Sequence, residues 1–108
     1  MALVQYNLTL TGVAQSLLEA APAQTDQYNI PCLEIILQVD DDASNPIFVG
    51  DENVTTAVYG IRLPAPTAGI PVAPFIFGPF ATGGAMKPND VFVIGTGESI
   101  LNIILIPF

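Results

Sequence analysis

The chain has 108 residues, of which 51% are hydrophobic and 11% are charged, and its formal net charge is −8 at pH 7. Arg62 and Lys87 are its two cationic residues, which excludes the basic patch that DNA or RNA binding needs and disfavours anionic membranes. The sequence contains no histidine, which excludes Ser-His-Asp and Cys-His catalysis and the usual Cys/His zinc sites. This length predicts one domain, spanning residues 1–108.

The low charge content indicates that partners cover part of the surface. Charged residues make up about 25% of an average globular protein, and a soluble monomer uses them to coat its exterior. The alternative is that Ser, Thr, Asn and Gln keep the chain soluble, but covering by partners is the interpretation that we favour. No apolar run approaches the ~18 residues of a membrane helix, and residues 1–6 lack the basic region of a secretory signal, so we expect synthesis in a cytoplasm. Cys32, the single cysteine, is predicted to be a buried hydrophobe.

The first third of the chain predicts two strands with a short helical turn between them. Residues 4–11 alternate apolar and polar side chains, which is typical of a half-buried strand, and Gly12 ends it. Residues 16–19 fit a capping box, so one helical turn is expected before Pro22 stops it. Residues 33–39 are rich in β-branched residues with apolar side chains on both faces, which predicts a central strand.

A polar turn and a short apolar strand follow. Asp40, Asp41 and Asp42 predict a solvent-exposed turn without a metal. A calcium site is the alternative, because clustered carboxylates suit hard cations, but the spaced ligand pattern of a calcium loop is missing. Residues 45–54 then form a strand that Asn and Pro open, followed by a polar turn, and another short strand is expected at residues 61–63.

Residues 63–86 contain five prolines and no charged residue before Lys87. Proline removes ladder donors, so this segment cannot be one regular strand, although residues 75–77 predict a short one. One interpretation is an extended arm or an apolar contact surface that carries Phe75, Phe77 and Phe80. The other is a loop folded over the open end of the domain's own core. Long loops without structure are uncommon in compact domains and often functional, and the sequence leaves both interpretations open.

Two apolar strands end the chain. Residues 91–94 predict one strand, and residues 100–106 predict the most apolar strand of all, which must be central or covered by a partner because a bare edge would aggregate. Counting along the chain gives about seven to eight short strands and at most one short helix. The sequence therefore predicts an all-β fold, an antiparallel β-sandwich or a jelly-roll-like barrel.

Residues 45–54, Asn-Pro-Ile-Phe-Val-Gly-Asp-Glu-Asn-Val, resemble a motif of small tailed-phage virion proteins. The pattern is a strand, then NP-(I/V)-(F/Y)-VG-(D/G)-x-x-V, then G-I-x-L, and residues 91–98 resemble its late strand and turn. The resemblance covers roughly residues 30–63 and 88–106. It implies a capsid decoration, or cement, protein of β-sandwich type that binds the major capsid protein on the outer shell. It also implies a homo-oligomer, with a trimer at local threefold positions favoured, and the virion as the location.

We therefore predict a virion structural protein and not an enzyme. Glu34, Asp90 and Glu98 show no spacing that singles out a catalytic pair, and we expect no cofactor, metal, small-molecule substrate, nucleic acid or membrane. A head–tail, tail or fibre-base component is the first alternative. A carbohydrate-binding module is the second, and the absence of tryptophan counts against it.

The predicted interface residues are apolar apart from one arginine. Arg62 has two possible roles, a cross-strand ion pair or an interface anchor, and the first is the more ordinary. The full predicted set is Arg62, Phe75, Phe77, Phe80, Ile106 and Phe108.

Overall fold

The computed structural model describes residues 3–20, 29–40, 45–67, 70, 72–81, 86–96 and 99–108. Two 3-10 turns lie in this part of the chain, at Leu17–Ala20 and Pro88–Asp90, and no α-helix does. The described ranges contain eight strands: β1 (Val4–Thr9), β2 (Gln15–Ser16), β3 (Cys32–Val39), β4 (Ile47–Gly50), β5 (Ile61–Leu63), β6 (Phe75–Phe77), β7 (Phe92–Gly95) and β8 (Ile100–Pro107).

The strands form two four-stranded sheets. The first sheet has the order β1-β8-β3-β6 and the second has the order β2-β7-β4-β5, and neighbouring strands run antiparallel. The pairing is nested, because β1 pairs with β8, β2 with β7, β3 with β6 and β4 with β5. This nesting is the strand order of an eight-stranded jelly roll. The predicted all-β antiparallel sandwich is confirmed.

The core lies between the sheets and is filled by every second residue of the long strands. In β8, Leu101, Ile103 and Leu105 are buried, and the residues between them are half-buried because they face outward. This alternation follows from the two-residue period of a strand. The other buried hydrophobic residues of the cluster are Tyr6, Leu8, Leu10, Leu17, Cys32, Ile35, Leu37, Val39, Ile47, Val49, Leu63, Val91 and Val93.

The two most apolar strands are central in the first sheet, as the sequence predicted for β3. β8 lies between β1 and β3, so it is covered by the chain itself. β1 ends earlier than expected, at Thr9, because the chain turns there: the Leu10 N–H donates to the Ser99 carbonyl at 2.8 Å, and Gly12 has a φ of +89°. The predicted helical turn is a 3-10 turn, and the Leu17 N–H donates to the Val91 carbonyl at 3.0 Å.

Residues 72–80 lie along the first sheet, whereas Leu63 pairs with Ile47 in the second. β6 pairs with three residues of β3, and the Gln38 side-chain amide donates to the Val72 carbonyl at 3.0 Å. Beyond β6, the Phe80 N–H donates to the Leu33 carbonyl at 2.9 Å. This stretch therefore closes one side of the protein's own sandwich. Of the predicted aspartate turn, only Asp40 is described, and Asp41 and Asp42 lie outside the described residues.

Candidate interaction site

The outward face of the second sheet carries a row of large side chains. Phe48 of β4 is paired with Arg62 on one side and with Ile94 on the other. These residues point away from the core, because their strand neighbours Ile47 and Val93 are buried. We define the second-sheet face as the outward residues of this sheet and one residue of the loop above them: Phe48, Arg62, Phe92 and Ile94 of the sheet, and Tyr59 of the β4–β5 loop.

The loop between β4 and β5 holds Tyr59 over Phe48. The two ring centroids are 4.7 Å apart with an interplanar angle of 49°, a tilted arrangement that is favourable for two aromatic rings. Tyr59 still exposes 43% of its surface. Two side chains shape the loop: Asp51 Oδ1 accepts from the Asn53 N–H at 2.9 Å, and Thr55 Oγ1 accepts from the Val58 N–H at 2.8 Å. Asp and Thr do this in turns because their short side chains reach the backbone ahead of them.

A small depression lies beside Tyr59. Its volume is about 220 Å³, and Val54, which is buried, forms part of its wall. Val58 at its rim is 68% exposed, so the loop presents apolar surface next to the aromatic pair. The lining residues are Gly50, Asp51, Val54, Val58, Tyr59 and Gly60.

Arg62 is exposed at the edge of the second-sheet face. Among the described residues, no ion pair or hydrogen bond engages its guanidinium group. The ordinary role considered for it, a cross-strand ion pair, is therefore not seen in this part of the chain. Arginine and tyrosine side chains are the residues most enriched among those that dominate binding energy at protein interfaces. Their proximity on one face makes this face the best candidate for a contact with another protein.

The outward face of the first sheet carries a row of amides. Asn7, Asn102 and Gln38 are in register across β1, β8 and β3. Gln38 is engaged with Val72, and the Asn102 amide donates to Asp40 Oδ1 at a long 3.5 Å. The amide of Asn7 has no hydrogen-bond partner among the described residues.

A second row on the same face is mostly isoleucine. Gln5, Ile104, Ile36 and Ile76 are in register across all four strands of the first sheet, and Ile76 is 46% exposed. The two rows lie two residues apart along the strands, about 7 Å. A shallow depression of about 390 Å³ lies where the two rows cross β1 and β8. It is lined by Gln5, Tyr6, Asn7, Asn102, Ile103 and Ile104. Polar and apolar groups are thus presented side by side.

The structure separates the predicted interface residues. Phe75 and Phe77 pair with Leu37 and Ile35 on the inner side of β6, and both rings pack against the core, with centroids 5.0 Å apart. Phe80 is half-buried after β6.

The remaining predicted residues lie elsewhere. Ile106 is half-buried on β8, paired with Glu34, and Phe108 is 46% exposed. Arg62 is on the other sheet. The sequence analysis missed Phe48 and Tyr59 as interface residues, and because β4 has no polar residue, its sequence carries no alternation that could have identified Phe48 as outward-facing.

Two ionisable side chains, Cys32 and Tyr6, are buried, and each donates a hydrogen bond to a backbone carbonyl. Cys32 is buried, its Sγ donates to the Ile30 carbonyl at 3.3 Å, and burial raises the pKa of its thiol. The Tyr6 hydroxyl donates to the Leu17 carbonyl at 2.8 Å. Burial raises the pKa of Tyr6, and its interaction with Cys32 raises it further. Burial therefore favours the neutral forms of both groups.

Within the described ranges, no cluster of three or more Cys, Asp or Glu residues could hold a metal ion. No helix in those ranges combines the length and the apolar character that crossing a membrane requires. No protein-family model, curated protein or solved structure significantly matches the chain. The outward sheet faces are therefore the features from which a function is inferred.

Proposed function

We propose that the protein is a structural subunit of a tailed-phage virion, a capsid decoration protein that binds the major capsid protein on the outer shell and stabilises contacts between capsomers. The observation that carries this proposal is the second-sheet face. It combines the tilted Phe48–Tyr59 pair with an exposed arginine that has no partner among the described residues. The fitting partner is an apolar surface with a carboxylate or carbonyl that can accept from Arg62.

The energetics of such a face favour assembly. Buried apolar area contributes roughly 25 cal/mol per Å², from which the costs of association are subtracted. Because only 11% of the residues are charged, few charged side chains would have to lose their hydration when such a contact forms. A contact built on Phe48, Tyr59 and Arg62 concentrates its free energy in a few residues, as protein interfaces do.

Two further features support a virion role. Phe48, at the centre of the second-sheet face, belongs to the motif of residues 45–54 that resembles small tailed-phage virion proteins. The jelly roll is an architecture of viral capsid domains, as well as of lectins and cupins. Of these classes, the resemblance favours the first. The trimer on a local threefold position stays a prediction, because it derives from the resemblance and no described contact addresses it.

The test is rebinding to capsids that lack this protein, measured across a salt series. Tyr59→Ala and Arg62→Ala should each weaken binding at least about tenfold. Ile76→Ala is the matched control, because Ile76 is 46% exposed and Tyr59 is 43% exposed, but on opposite sheets. An apolar contact should persist at high salt, because screening weakens the electrostatic part alone. Equal loss in Ile76→Ala, or binding that falls steeply with salt, would contradict the proposed face.

A second experiment addresses the tail alternative. Electron microscopy of labelled virions should place the protein on the outer shell. Label at the head–tail junction, the tail or the base of a fibre would show that the protein is a component of that structure and not a capsid decoration protein. Absence from the virion would overturn the structural role altogether.

Carbohydrate binding is a second candidate that a separate observation favours. The depression on the first sheet, about 390 Å³, sets the amides of Asn7 and Asn102 beside the apolar side chain of Ile104. A sugar ring has hydroxyls at its edge and C–H groups on its faces, so amides and an apolar floor can both contact it. A glycan screen tests this role: binding that Asn7→Ala and Asn102→Ala abolish would support it, and no binding would remove it.

A further inference from the structure

The two sheets have four edge strands, and three of them are blunted. β2 has two residues, and β5 and β6 have three each. Pro64 follows β5, which also carries Arg62, and Pro74 precedes β6. Short strands, prolines and charges are the means by which sheet edges avoid pairing with other chains.

β1 has none of these protections. It has six residues with no proline and no charged side chain, and all six pair with β8 in an unbroken register from Val4 to Thr9. Among the described residues, β8 is the one strand that pairs with β1. The other edge of β1 therefore presents a regular row of backbone groups to a further strand.

Charge determines what fits this edge. The net charge of −8 makes copies of this chain repel one another, so a contact between copies is opposed least where neither surface carries a charge. Neither β1 nor β8 carries a charged residue, and the charged residues described in this sheet are Glu34 of β3 and Asp40 just after it. Two strand spacings, about 10 Å, separate β3 from β1, which is about one Debye length at physiological salt. An acidic or basic partner would be recognised through charge, whereas an uncharged edge on an acidic chain suits a second copy.

We infer that two copies of this chain pair through their β1 edges, antiparallel and related by a twofold axis. The first sheet then continues across the contact as eight strands. Gln5, Asn7 and Thr9 face outward in both copies, so amides and hydroxyls meet across the new ladder and no like charges do. The start of β1 in one copy, next to Leu3, then lies beside the end of β1 in the other copy, at Thr9. This contact covers the Leu3 side chain, which is 54% exposed in the single chain. This association does not depend on a virion role, and it is an alternative to the trimer that the resemblance implies.

The test is the mass of the 108-residue protein in solution, by sedimentation velocity and native mass spectrometry, from about 10 µM to about 1 mM. The expected species at high concentration has twice the 11.4 kDa of one chain. Asn7→Lys and Asn7→Asp should both raise the dissociation constant at least about tenfold, because a twofold contact sets each new charge near its own copy. Thr56→Lys and Thr56→Asp, at an exposed loop position next to the other sheet, are the matched controls and should leave the dimer intact.

Amide hydrogen exchange gives a second readout. The β1 amides that do not bond to β8 should become protected as wild-type protein is concentrated, and they should stay unprotected in Asn7→Lys. Thermal melting shows whether the variants fold, and Gln5→Lys replaces Asn7→Lys if the latter does not. A monomer at every concentration, a dimer that the Asn7 variants leave intact, or a trimer as the only assembly would each overturn the inference, since a closed threefold ring cannot pair β1 with β1.

Discussion

Gly95 of β7 lies directly against Leu10, which follows β1. A methyl group on Gly95 would come within 2.5 Å of Leu10 Cδ1, closer than carbon atoms approach in folded proteins. Leu10 is 1% exposed and Gly95 is buried. Strand β7 therefore lacks a side chain at the position where Leu10 fills the core.

We expect Gly95→Ala to destabilise the fold by about 1–3 kcal/mol, the range for overpacked cores. The sign is informative, because glycine to alanine at an unstrained strand position commonly stabilises a protein. Leu10→Ala alone should cost about 2–5 kcal/mol. In the double variant the new methyl group has space. The loss in free energy of unfolding, measured in urea, should therefore be smaller for the double variant than the sum of the losses for the two single variants. Additive costs would show that the two side chains do not meet.

Gly78 and Gly12 provide a matched pair for backbone strain. Both have positive φ, +110° at Gly78 and +89° at Gly12, but a Cβ on Gly78 would come within 2.5 Å of the Leu33 carbonyl oxygen, while one on Gly12 would meet nothing within 4 Å. Gly12→Ala should cost about 1–2 kcal/mol, the conformational penalty alone. Gly78→Ala should cost more and should loosen β6, measured as faster amide exchange there. Equal costs would show that the Leu33 contact relaxes freely.

The long strands were predictable from the sequence because their patterns are local. Alternation predicted β1, and apolar runs predicted β3 and β8. β2 was missed because it has two residues and exists through its pairing with β7, a contact between residues 15–16 and 92–93. No local pattern predicts a ladder that short.

The candidate site was less predictable for a related reason. Phe75-Ile76-Phe77 predicted a short strand, but three apolar side chains in a row cannot show which face turns inward. The register with β3 decides that, since Ile76 pairs with Ile36 on the outside. Arg62 was predicted as an interface residue from the chemistry of its side chain alone, without any information on its position in the fold. Its neighbour Phe48 was missed because β4 is apolar on both faces.

Alkaline pH should destabilise the protein through two buried groups. Burial raises the pKa of Cys32 above 9.0 and the pKa of Tyr6 above 10.0. Folding therefore favours their neutral forms, and this stabilisation is complete below about pH 9 and is lost progressively as the pH rises above the two ordinary values. Urea unfolding between about pH 7 and pH 11 should show a falling free energy of unfolding.

Tyr6→Phe should cost about 1–3 kcal/mol at neutral pH, because the Leu17 carbonyl loses its donor, and should flatten the decline above pH 10. Tyr59→Phe, on the exposed loop, is the control and should keep the wild-type profile. If Tyr6→Phe declined as steeply as the wild type, Tyr6 would not be the titrating group.

Substitutions in β6 decide whether residues 63–86 serve the core or an interface. Phe77 packs against the core, whereas Ile76, its neighbour, is 46% exposed on the outward face. Phe77→Asp buries a charge at the rim of the core and should lower the free energy of unfolding by about 2–4 kcal/mol. Ile76→Asp is the matched control with the same new charge, and it should change stability by no more than about 0.5 kcal/mol. Thermal and urea unfolding measure both. If Phe77→Asp folded as stably as Ile76→Asp but no longer assembled on capsids, the ring would be an interface residue, as the sequence analysis proposed for Phe75 and Phe77.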